Sequence, residues 1–137
     1  MNRPLVPRQQ AINAIRDADL RFQYALYGMD TLPERLRRVA DAANEESRAM
    51  ELAVLANIEW PGRSAELFRL GSEVEPGQER PGPKRLWTEI DRALAGLTAA
   101  LAGNSMKELA AAYQQLAVTT RALADALQGP AEVRDAG

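Results

Sequence analysis

The sequence predicts an all-α protein, an antiparallel four-helix bundle built from two helical hairpins. Apolar residues recur at alternating spacings of three and four along four stretches, the period of a single helix face. Two capping-box patterns, Thr31-Leu32-Pro33-Glu34 and Ser105-Met106-Lys107-Glu108, mark helix starts, and Pro61 and Gly103 mark stops. At 137 residues the chain suits one domain with its own core, assigned here to residues 1–130.

The first hairpin is assigned to residues 7–59. Residues 1–6 carry no periodicity and read as an extended lead-in, with Pro7 opening the helix. Ala11, Ile15, Ala18, Phe22, Ala25 and Met29 then form a stripe of alternating small and large side chains. Leu20, Tyr24 and Tyr27 form a second stripe on the opposite side, so this helix has two apolar faces. The second helix begins at Leu32 and carries Leu32, Leu36, Val39, Ala43, Ser47, Met50, Val54 and Ile58, with an expected end near Glu59.

Between the hairpins, residues 63–70 read as a short extra helix, with Leu67, Phe68 and Leu70 in need of cover. Residues 71–82 form a Pro/Gly-rich loop too poor in apolar groups to order itself, expected to be exposed and open to proteolysis near Arg80. The second hairpin, 83–129, carries Trp87, Ile90, Leu94, Leu97 and Leu101 up to Gly103, expected to be a left-handed cap. It then carries Met106, Leu109, Tyr113, Leu116, Thr120, Leu123 and Leu127 up to a stop at Gly129-Pro130. Residues 131–137 read as a disordered tail. The assembly expected from these parts is up-down-up-down.

Composition narrows the chemistry. The chain has no cysteine and no histidine, which removes the usual nucleophilic thiol, the usual general base and the usual zinc ligands. The reading is therefore non-enzymatic, with no cofactor. A net charge of -2, with both signs interleaved, gives no electrostatic footprint for nucleic acid. No apolar run is long enough for a membrane span, and the first residues lack the apolar stretch of a cleavable signal, so the expected location is cytoplasmic. With 15 arginines against 2 lysines, and 25 alanines, the expected source is bacterial.

Several residues compete for a functional role. Arg35, Arg37 and Arg38 could grip phosphates, but Glu34 and Asp41 at helical spacing favour a self-neutralised, solvated face. Glu45 and Glu46 suggest a metal only weakly, since bundle di-iron sites also use histidine. Thr120 is either a polar register device or a threonine bonded to the carbonyl one turn back, and the second is preferred. Tyr113 reads as core. The strongest candidate is the second face of the first helix, because tyrosines offer large apolar area with a water-tolerant hydroxyl. Leu20, Tyr24 and Tyr27, with Trp60 and Phe68, form the predicted partner-binding set, the partner being another protein or a second copy. The alternative is that residues 60–70 fold over that face.

The Trp60-Pro61-Gly62 turn after a long helix, followed by Ala65 and Phe68, resembles the WXG100 helical-hairpin proteins over residues 32–70. The resemblance implies a dimerising, non-enzymatic partner protein exported by type VII secretion. Read by itself, the same turn is a helix stop whose Trp60 closes the open end of the core.

Overall fold

Helical periodicity translates into four helices among the residues described by the computed structural model, which are 7–27, 31–62 and 80–136, with side chains through 128. They are α1 (Arg8–Leu26), α2 (Leu32–Leu55), α3 (Lys84–Ala102) and α4 (Met106–Ala136). At the start of α2 the Glu34 carboxylate accepts from the Thr31 amide at 3.3 Å and from its hydroxyl at 2.8 Å. At the start of α4 the Ser105 hydroxyl accepts from the Glu108 amide at 3.2 Å. The predicted short helix 63–70 and loop residues 71–79 lie outside the described residues.

Three helix ends differ from expectation. α2 stops at Leu55 rather than near Glu59, because Asn57 takes a left-handed conformation, φ 59°. The Ile58 amide then reaches the Ala53 carbonyl at 2.9 Å and the Asn57 amide reaches Val54 at 3.1 Å, the paired bonds of a Schellman motif. Gly103 is not left-handed, with φ -80°; its amide bonds to Ala99 and Ala100 at 3.1 Å each. α4 continues past Gly129-Pro130 to Ala136. Proline removes one amide donor and crowds the preceding turn, but its φ is helical, so it weakens a helix without always ending it.

The helix pairs whose backbones run closest are α1 with α2, α2 with α4, and α4 with α3. Ion pairs fix their direction. Arg37 reaches Asp125 at 3.0 Å and Asp41 accepts from Arg121 at 2.6 Å, so α2 and α4 run antiparallel. The hairpin turns make the other two pairs antiparallel as well. It follows that α2 and α3 run the same way, and the order is up-down-down-up rather than up-down-up-down. The ends of the connection agree: Trp60 donates to the Leu101 carbonyl at the last turn of α3, whereas Gly82 packs on Leu123 and Leu127 beside its first turn.

α2 and α4 form the central pair because both carry small side chains along a wide buried arc. Ala40, Ala43 and Ser47 on α2 lie about level with Ala124 and Ala117 on α4, by the register the ion pairs set, and all five are buried. Alanine on both sides lets two helix axes come to the near end of their usual separation. Larger side chains, including Phe22, Leu36, Met50, Ile90, Leu97, Leu101, Leu109, Tyr113 and Leu116, fill the rest of one continuous core.

Of residues 80–82, expected to belong to an exposed loop, Pro81 and Gly82 are exposed, whereas Arg80 is half-buried against α3. The Arg80 guanidinium meets both oxygens of Asp91, at 2.9 and 3.3 Å, and lies 4.7 Å over the Trp87 ring. The Trp87 indole donates to the Pro81 carbonyl at 2.7 Å. No helix among the described residues is long and apolar enough to cross a membrane.

Candidate functional site

Two seams run along α1 at the same spacing. Ala11, Ile15, Ala18, Phe22 and Ala25 face the core, where Phe22 meets the Tyr113 ring edge-on at 5.4 Å between centroids. Offset by two residues, Asn13, Asp17, Leu20, Tyr24 and Tyr27 all lie exposed on the other side. Two residues turn a helix by about 200°, which is why the second seam cannot share the first one's core.

Leu20, Tyr24 and Tyr27 are 52%, 76% and 74% exposed. Residues 63–70, which the alternative would fold over this face, lie outside the described residues. Tyr24 borders a groove of about 250 Å³ between α1 and α2, with Ala25 and Ala42 on its floor and Arg21, Arg38, Asp41 and Glu45 on its rim. Arg21 pairs with Glu45 across the groove, and the hydrogen bond and charge of Glu45 hold the Arg21 guanidinium above its ordinary pKa.

Trp60 does not join that surface. It is 9% exposed, part of the core, and held by the 2.7 Å bond to Leu101. It closes the end of the bundle where α2 and α3 finish. Gly62 beside it has φ 83° and sits so close that a Cβ would lie 3.0 Å from the Gly103 oxygen. The Trp60-Pro61-Gly62 turn thus packs against the end of α3. Phe68 lies outside the described residues.

The arginine cluster is not one solvated face. Arg35 is buried, 7% exposed, while Arg37 bonds to Gln128 at 2.9 and 2.6 Å and pairs with Asp125. The Arg37 charge is met from α4. Glu45 and Glu46 also separate: Glu45 meets Arg21 at the surface, and Glu46 is 1% exposed inside. Among the described residues no group of three or more His, Cys, Asp or Glu is placed to hold a metal.

The burial of Glu46 was missed in the sequence, although its position gives it away. Val39, Ala42, Ala43, Ala49, Met50 and Ala53 surround it at steps of three, four and seven. Thr120 behaves as expected, fully buried with its hydroxyl donating to Leu116 at 2.7 Å. Two further grooves flank α4, about 650 Å³ against α3 and about 760 Å³ against α2. Alanines and Gly96 line much of the first, Val54, Leu55 and longer polar side chains most of the second, and Ala111 lines both.

No family model, curated protein or solved structure matches the chain.

Proposed function

We propose that the chain is a non-catalytic helical interaction module whose contact surface is the outer face of α1. One observation supports this most: Leu20, Tyr24 and Tyr27 stand more than half exposed on one helix face, while the inward seam of the same helix packs on a closed core. Leaving apolar side chains in water forgoes roughly 25 cal/mol per Å² of burial, so a face of this kind gains most from a protein that covers it. Tyrosine suits the role, since its ring fills a contact and its hydroxyl tolerates water before contact is made.

Tyr24→Ser combined with Tyr27→Ser tests the reading. The double variant is expected to melt within a few degrees of the parent, because neither ring contributes to the core, and to lose capture of a partner from extracts of the native cell. A variant that melts far lower, or one that retains the same captured protein, removes this face from the proposal.

A further inference from the structure

We draw no further inference here: the strongest candidate, the groove of about 760 Å³ between α2 and α4 with the exposed Leu55 in its lining, carries nothing because that lining mixes the cations Arg48 and Lys107 with Glu51 and nothing in the structure shows what covers it.

Discussion

The Trp60 indole nitrogen donates to the Leu101 carbonyl at 2.7 Å, joining the end of α2 to the last turn of α3. A carbonyl in the last turn of a helix has no partner within the helix, so this side chain satisfies a group that burial would otherwise leave empty. Trp60→Phe keeps most of the packing and loses the bond, and is expected to cost about 1–3 kcal/mol. Trp60→Ala adds a cavity and should cost about 3–5 kcal/mol. Urea unfolding gives both values; a phenylalanine variant equal to the parent would show that the bond adds nothing.

Two glycines should respond to alanine with opposite signs. Gly62 has φ 83°, and a Cβ there would lie 3.0 and 3.2 Å from the backbone oxygens of Gly103 and Ala102, which cannot swing aside. Gly62→Ala should destabilise by about 1–3 kcal/mol. Gly96 lies inside α3 with nothing within 4 Å of a new Cβ. Gly96→Ala should stabilise by about 0.5–1 kcal/mol by restricting the unfolded chain. Thermal melts of the pair decide it, and a shared sign would contradict the geometry.

Arg80 is 12% exposed in its side chain and Asp91 46%, so their contact is partly shielded. A double-mutant cycle with Arg80→Ala and Asp91→Ala should return a coupling of about 0.5–1 kcal/mol that shrinks in high salt. Arg80→Ala alone should cost more than Asp91→Ala, because it also removes the guanidinium from the Trp87 ring. Strict additivity would mean that the contact does not hold the end of the connection.

The Thr120 hydroxyl bonds only to carbonyls of its own helix, Leu116 at 2.7 Å and Ala117 at 3.3 Å. Thr120→Val should leave stability within about 1.5 kcal/mol of the parent, in either direction. Ala117→Leu, by contrast, forces a large side chain into the central α2–α4 contact and should cost about 1–3 kcal/mol. If valine proved the worse of the two, the hydroxyl would have a role beyond its own helix.

What the sequence by itself determined is whatever depends on neighbours within about one turn. The four stripes, the caps at Thr31 and Ser105, the back-bonded Thr120 and the opposed faces of α1 all follow from spacing alone. Asn57 was legible in principle as a left-handed helix stop, but Pro61 gave the stronger local signal. Tertiary structure decided the direction of α3, because a connection from 56 to 83 is long enough either to return beside α2 or to travel its length. It decided the centrality of α2, since alanine is equally at home in a core and on a surface until a second alanine-bearing helix lies against it. It also decided that Arg35 and Glu46 lie inside, that the Arg37 charge is met from α4, and that Trp60 is a core residue while Tyr24 and Tyr27 are not. Those outcomes depend on which helix lies opposite, and one-turn spacing does not encode that.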